Sequence, residues 1–311
     1  MNTGLALISH DQCLRHVMGP GHPECPDRLA VIRAALDRLD APCVRLDAEP
    51  ADWEYLSLGH APEYLERLRA LSPVEGLIAL DPDTAMNPDS LPAARLAAGA
   101  VKQAVDGVLA GDFTRAFCAV RPPGHHATRE RAMGFCLLNN VALGALHALG
   151  QGCARVAIVD FDVHHGNGSQ DILLNEPRAL VCSSFQYPLY PYSGTETTPP
   201  HIVNVPLPEG AGGQELFAAL EQHFIPALRA HQPDLLFISA GFDAHAADPL
   251  AGMRLSTEDF GELTRRLVGL AEELCGGRIV SSLEGGYDLA ALAESASAHV
   301  QALAGDQAGG R

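Results

Sequence analysis

Asp162 and His164 stand two residues apart in the run Val156-Ala-Ile-Val-Asp-Phe-Asp-Val-His-His-Gly-Asn-Gly168. The run begins as an apolar strand and ends in side chains that bind metals and carry protons. Residues two apart on a strand share a face. Asp160, Asp162 and His164 therefore converge as the strand runs out, and His165 turns away. A carboxylate oxygen and an imidazole nitrogen presented together are natural ligands for a divalent metal such as zinc. Gly166 and Gly168 permit the tight backbone that must follow.

Three further clusters carry chemistry. Arg121-Pro-Pro-Gly-His-His126 is a rigid turn that delivers two adjacent imidazoles, either metal ligands or proton-transfer groups. Gly241-Phe-Asp-Ala-His245 offers Asp243, a third metal ligand or else a turn or cap aspartate. Glu284-Gly-Gly-Tyr-Asp288 offers Tyr287, a phenol for a substrate carbonyl or else a packed aromatic. Asp160 lies too deep in its strand to reach the metal. A buried carboxylate needs a partner, and an imidazole is one solution.

Each cluster follows an apolar run that reads as a strand: Ala116–Val120, Val156–Asp160, Leu235–Ala240 and Ile279–Leu283. Leu5–Ser9, Leu56–Gly59, Ala179–Ser183 and Ile202–Val205 are the other expected strands. Helical patterns alternate with them at Cys25–Leu39, Pro62–Leu71, Leu91–Ala110, Asn139–Leu149, Gly168–Asn175, Gly213–Ala230 and Thr257–Leu274. This alternation predicts an α/β fold with a parallel sheet covered on both faces. In such sheets ligands bind beyond the carboxyl ends of the strands, so all four clusters face one crevice. No repeat or linker divides the chain, which reads as a single domain over residues 1–303 with a flexible tail at 304–311.

Composition narrows the function. The chain of 311 residues is 47% hydrophobic and 19% charged, enough for a large core. Its 38 acidic residues against 21 basic give a net charge of −17, which repels phosphate backbones and argues against nucleic-acid binding. Acidity also attracts cationic substrates, although many cytosolic proteins are acidic for solubility alone. The eight cysteines are scattered without a Cys-x-x-Cys pair, as in a reduced cytoplasmic protein. The N-terminus lacks a signal-peptide pattern, and no segment is long enough to span a bilayer.

Taken together, His22-Pro-Glu24 with Asp27-Arg28, Arg121-Pro-Pro-Gly-His-His126, Gly134-Phe-Cys136 with Asn139-Asn140, Asp160–Gly168, Ser239-Ala-Gly-Phe-Asp243 and Glu284-Gly-Gly-Tyr287 resemble the zinc-dependent histone deacetylase superfamily. That superfamily includes lysine deacetylases, acetylpolyamine amidohydrolases and acetoin-utilisation proteins. The motifs run in the family's order from about residue 20 to residue 290. A motif carries weight when its structural context agrees.

The resemblance implies the arginase/deacetylase fold, with an eight-stranded parallel sheet. It implies zinc, with iron(II) as the alternative, on Asp162, His164 and Asp243. His126 becomes the general base and then acid, with Asn167 as its partner where some relatives carry Asp. His125 becomes its electrostatic neighbour, paired with Asp160, and Tyr287 the donor to the developing oxyanion. Gly134, Phe135 and Tyr190 match the tunnel that holds an acylated side chain, and Asp83 the rim aspartate, with Asp81 close by. Asp160, Asp162, His164, Ser183 and Ser184 match a buried potassium site.

Departures bear on substrate. Phe185 stands where the family often has His, and Pro191-Tyr-Ser-Gly194 replaces a Pro-Gly-Thr-Gly, so that Tyr192 narrows or re-aims the tunnel mouth. Leu250 stands where polyamine deacetylases tend to place an acidic gatekeeper. The expected activity is therefore removal of acetyl or other acyl groups from acylated lysine in a protein or peptide. Acetylpolyamine or another small acylated amine is the alternative substrate. A catalytically silent binding protein and a binuclear manganese arginase fit less well, since the base, the ligands and the tyrosine are all present and Asn167 and the paired imidazoles oppose a second metal. Homo-oligomerisation is left open.

Overall fold

The computed structural model describes residues 4–305. From the amino end the elements are β1 (Leu5–Ser9), α1 (Pro26–Leu36), β2 (Cys43–Asp47), α2 (Trp53–Leu56), α3 (Pro62–Leu71), β3 (Ile78–Asp81) and β4 (Thr84–Met86). There follow α4 (Ser90–Ala110), β5 (Arg115–Cys118), α5 (Asn140–Gly150), β6 (Val156–Asp160), α6 (Asn167–Leu173), β7 (Ala179–Gln186) and β8 (Ile202–Leu207). The last are α7 (Gly213–Ala219), α8 (Ile225–His231), β9 (Leu235–Ala240), α9 (Thr257–Cys275), β10 (Ile279–Leu283) and α10 (Leu289–Ala304).

Eight strands form one sheet in the order β2-β1-β5-β10-β9-β6-β7-β8. Every pairing in it is parallel. The central strands β6, β9 and β10 are buried along their whole length. Such strands are near-continuous apolar runs because both faces are covered. Helices α4 and α5 pack together on one face, and α1, α9 and α10 on the other. A smaller apolar cluster lies apart from the sheet, under α2, α3 and the β3–β4 hairpin, and joins Tyr55, Tyr64, Leu68 and Met86 to Leu137 and Leu138. It carries the rim of the site.

The local signals explain most element ends. Pro26 opens α1, where its missing N–H costs nothing. Asn139 caps α5 by accepting from Ala142 N–H, and Ser256 and Asp259 form a reciprocal capping box on α9. Four expectations differ from the structure. Leu56–Gly59 is not a strand: Leu56 ends the short helix α2, whose Asp52 cap accepts from Tyr55 N–H. The sheet takes β2 instead, an edge strand whose charged Arg45 and Asp47 disguise it. The expected helix over 213–230 breaks into α7, a π turn at Leu220–Phe224, and α8. Pro226 lacks an N–H and its ring crowds the preceding turn, so the helix widens just before it. Finally, α10 arises from an alanine-rich stretch whose periodicity is weak, started by the Asp288 cap on Ala291 N–H. Ala304, expected to begin a tail, closes this helix, and the expected tail residues 306–311 lie outside the described residues. No helix among the described residues is long and apolar enough to cross a membrane.

Beneath the carboxyl ends of β5 and β10 lies an ion cluster with no exposure. Arg121 donates to both carboxylate oxygens of Glu24, the Nη2 contact at 2.6 Å, and Arg28 Nη1 donates to Oε1 at 3.1 Å. His16 Nε2 lies 3.3 Å from Oε2. Burial would raise the Glu24 carboxyl, but Arg121 and His16 hold it well below the usual range. The cluster joins the segment before α1 to the turn after β5. We predict that Glu24→Ala lowers the unfolding free energy by about 3–5 kcal/mol, because two buried guanidinium groups lose their counter-charge. Urea denaturation checks this, and a change below about 1 kcal/mol would assign the cluster no structural weight.

Candidate active site

Asp162, His164 and Asp243 present ligand atoms that all lie within 4.8 Å of one another. The loop after β6 supplies two of them and the loop after β9 the third. His164 Nδ1 is 3.1 Å from Asp162 Oδ1 and 3.1 Å from Asp243 Oδ2. Main-chain N–H groups hold both carboxylates. Gly285 donates to Asp162 Oδ2 at 2.8 Å, and Val163 to Asp243 Oδ1 at 2.9 Å. The carboxylates are fully buried. Burial lowers an imidazole, yet these two carboxylates lift His164 up to about 10. Burial and Asp162 together raise Asp243. The pocket thus holds more negative charge than its own imidazole offsets. Adjacent ligands on a tetrahedral divalent ion, with bonds of about 2.0–2.2 Å, stand roughly 3.3 Å apart. The observed 3.1 Å separations fit that requirement.

The two histidines after β5 have opposite environments. His125 Nδ1 lies 3.0 Å from Asp160 Oδ2. Burial pulls His125 down, but Asp162 and Asp160 outweigh it and hold the imidazole well above its ordinary value. His126 is pushed well below its ordinary value by burial, then by His125 and His164. Its ring centroid is 4.0 Å from His125 and 5.7 Å from His164. His126 Nδ1 is 2.7 Å from Asn167 Oδ1, while Asn167 Nδ2 faces Met133 Sδ at 3.4 Å. The sulfur contact fixes the amide orientation. Asn167 therefore accepts at Nδ1, and Nε2 of a neutral His126 keeps its lone pair. These opposite shifts suit the pair to two different roles, a cation and a base.

Glycines make this approach possible. The backbone is tight at Gly166 as expected: with φ −73° and ψ 59° it centres an inverse γ-turn in which Asn167 N–H donates to His165 O at 2.8 Å, a turn that does not itself require glycine. What it needs is space, since a Cβ there would stand 2.3 Å from Asp160 Oδ2. A Cβ on Gly168 would stand 2.3 Å from Ala127 O. His165 turns away as expected, with its ring nitrogens 2.8 Å from Ser193 Oγ and 3.0 Å from Gln170 Oε1.

Aromatic walls stand over the three ligand groups. Phe135 meets His22 edge-on at 4.7 Å and Tyr287 edge-on at 5.9 Å. Tyr190 meets His126 edge-on at 5.3 Å and lies 6.3 Å from His164. Phe135 has φ +68°, a strained conformation for an aromatic residue. The β3–β4 hairpin holds it there: Thr84 Oγ1 accepts from Phe135 N–H at 3.0 Å, and Asp83 Oδ1 from Gly134 N–H at 3.2 Å. Asp83, rather than Asp81, is the aspartate that touches this wall. Gly134 lies so close to His126 that a Cβ would stand 2.3 Å from the imidazole. Tyr192, expected at the tunnel mouth, has φ +61° and is 71% exposed. Leu250 is half-buried, and Ser183 and Ser184 are buried at the end of β7. Ser183 Oγ has no hydrogen-bond partner among the described residues.

Several site residues had no role in the sequence reading. Glu284 Oε2 accepts from Gly124 N–H at 2.6 Å and His125 N–H at 3.1 Å, fixing the histidine turn. Burial pushes this carboxyl up to about 7 against the pull of His125. Arg28 Nε donates to Gly286 O at 2.6 Å, and its guanidinium lies 4.8 Å from the Tyr287 ring centroid. Asp248 Oδ2 accepts from Tyr287 N–H at 2.7 Å. Glu24 and Arg28 stand four apart at the start of a helix, a spacing that signals an ion pair. Nothing local in sequence announces the others, whose partners come from distant segments.

The histone deacetylase domain matches residues 22–303. The chain belongs to the histone deacetylase family. A histone deacetylase-like amidohydrolase of Pseudomonas aeruginosa is 36% identical, over 98% of this chain and 87% of its own length. A polyamine deacetylase HDAC10 of Mus musculus is 39% identical over 97% of this chain, which spans 48% of that protein. The crystal structure of the HDA15 HD domain superposes with a TM-score of 0.90 at 34% identity, covering 97% of this chain and 91% of that one. The expected family and fold are therefore both borne out, and the protein is a hydrolytic deacetylase, an enzyme that cleaves amides.

We predict that Asn167→Asp moves the acid limb of kcat/KM to higher pH, by roughly one unit. The base must be neutral, so activity is lost as pH falls through the His126 pKa. A carboxylate beside Nδ1 stabilises the imidazolium and raises that pKa. A pH–rate profile checks it, and an unmoved acid limb would deny His126 the role of base.

Proposed function

We propose that the deacetylase removes acetyl or other acyl groups from lysine side chains of a protein or peptide, with zinc held by Asp162, His164 and Asp243. The observation that carries this reading is the convergence of two buried carboxylates and one imidazole, beneath aromatic walls and beside a neutral His126. The donor set fits a divalent ion, since two carboxylates cancel its charge and the separations match tetrahedral bonds. Iron(II) suits the same ligands. When bound, the ion supplies Lewis acidity for the substrate carbonyl and for water.

The chain's own residues do the rest. His126 Nε2 takes a proton from the attacking water and gives it to the leaving amine. Asn167 holds the imidazole in the tautomer that leaves Nε2 free. His125, charged and paired with Asp160, adds positive potential where negative charge develops. Tyr287 donates to the carbonyl oxygen. Burial raises its phenol well above the ordinary range, which keeps the proton in place for donation. One such donor contributes about 3 kcal/mol to the transition state. Phe135, Tyr190 and Gly134 line the slot for the lysine stem, with Asp83 at its rim and Leu250 where an acidic gatekeeper would meet a second cation.

The orphaned Ser183 hydroxyl, in register beside Asp160, supports a potassium ion among Asp160, Asp162, His164, Ser183 and Ser184. Eight free cysteines suit the reducing cytoplasm. Acetylpolyamines are the second reading. The likeness to a polyamine deacetylase and the charge of −17 favour it, while Leu250 offers no carboxylate to a second cation.

We expect one equivalent of zinc to restore activity to chelator-treated enzyme. We also expect acetyl-lysine peptides to be turned over faster than acetylputrescine or acetylspermidine on the same preparation. Faster turnover of the acetylpolyamines would replace the first substrate class by the second. Full activity of metal-free enzyme would remove the mechanism.

A further inference from the structure

Tyr287 sits on the short loop between β10 and α10, where two side chains grip its backbone from opposite sides. Arg28 takes the carbonyls, donating to Glu284 O and Gly286 O. Asp248 takes the amides. Its Oδ2 accepts from Tyr287 N–H at 2.7 Å, and its Oδ1 from Leu250 N–H at 2.9 Å. The Asp288 N–H faces the same carboxylate. Asp248 is 7% exposed and belongs to the segment after β9 that carries Asp243 at one end and Leu250 at the other. That segment is itself anchored, since Asp248 N–H donates to His245 O at 2.9 Å and Gly252 N–H to Gln186 Oε1 at 2.7 Å.

A carboxylate that spends both oxygens on main-chain N–H groups from two loops is a spacer of fixed length. The Tyr287 backbone cannot shift without breaking a charge-assisted bond in a buried place. We propose that Asp248 is a positioning residue for catalysis: its carboxylate sets the Tyr287 phenol and locks it to the Leu250 segment. The proposal rests on Tyr287 being the donor to the carbonyl oxygen. Asp248 touches neither substrate nor the three ligand groups through any bond found here, so its effect passes through Tyr287.

The carboxamide of Asp248→Asn has one accepting oxygen, so it cannot hold the Leu250 N–H and the N–H groups of Tyr287 and Asp288 together, because its NH₂ turns towards one side. The experiment is a double-mutant cycle with Tyr287→Phe on zinc-loaded enzyme, reading kcat, KM, bound metal and melting temperature. Asp248→Asn is expected to lower kcat by about tenfold or more, with KM and metal content unchanged. In the Tyr287→Phe background it should lower kcat no further. Should Asp248→Asn melt below the assay temperature, Asp248→Ser enters the same cycle. Fully multiplicative losses, or loss of metal with Asp248→Asn, would overturn the proposal while leaving the Tyr287 role standing. A Tyr287→Phe enzyme with unchanged kcat would overturn that role, and with it this proposal.

Discussion

Two carboxylates buried beside one imidazole set the terms for the rest of the molecule. Asp162 and Asp243 have left water, and only a nearby cation compensates the loss. His164 Nδ1 lies 3.1 Å from each, so a proton on it, or a divalent ion that all three share in its place, can supply that charge. Main-chain N–H groups from Gly285 and Val163 add partial positive charge and hold the oxygens still. These donors lie on loops after β6, β9 and β10, adjacent strands of one parallel sheet. Parallelism puts all their carboxyl ends at one edge, and so makes the cluster geometrically possible.

The catalytic division follows from the same field. Burial lowers His126 most, helped by His125 and His164, while Asp162 and Asp160 outweigh burial at His125 and hold it above its ordinary value. Two chemically identical residues, adjacent in sequence, are thereby suited to different work, one as an electrostatic group and one as a base. Their turn is pinned by Glu284, and the ring of His126 is packed so tightly that only a glycine fits at 134. The Tyr287 ring meets Phe135 edge-on and lies under the Arg28 guanidinium, which ties the tyrosine to the aromatic wall.

Much of this was legible in the residues. The apolar runs that end in Asp160, Ala240 and Leu283 match β6, β9 and β10 to the residue, because strands buried on both faces carry no charge before their last position. The donors that follow them meet as expected. The edge strand β2 was not legible, since an edge tolerates charge at every second position and resembles a loop. Leu56–Gly59 misled for the converse reason: a short apolar stretch fits a strand or a helix end equally well. The broken helix around Pro226 shows a local conflict resolved by a wider turn rather than by a stop. Asp248 and Glu284 stayed silent because their partners are main-chain amides, which leave no mark in the side-chain pattern.

The central claim is that Asp162, His164 and Asp243 share one ion. X-ray absorption on the zinc-loaded protein tests it most directly. The account predicts only oxygen and nitrogen neighbours, at about 2.0–2.2 Å, with the multiple scattering of a single imidazole. A sulfur neighbour at about 2.3 Å, as from buried Cys136 beside the site, or the scattering of two imidazoles, would contradict it.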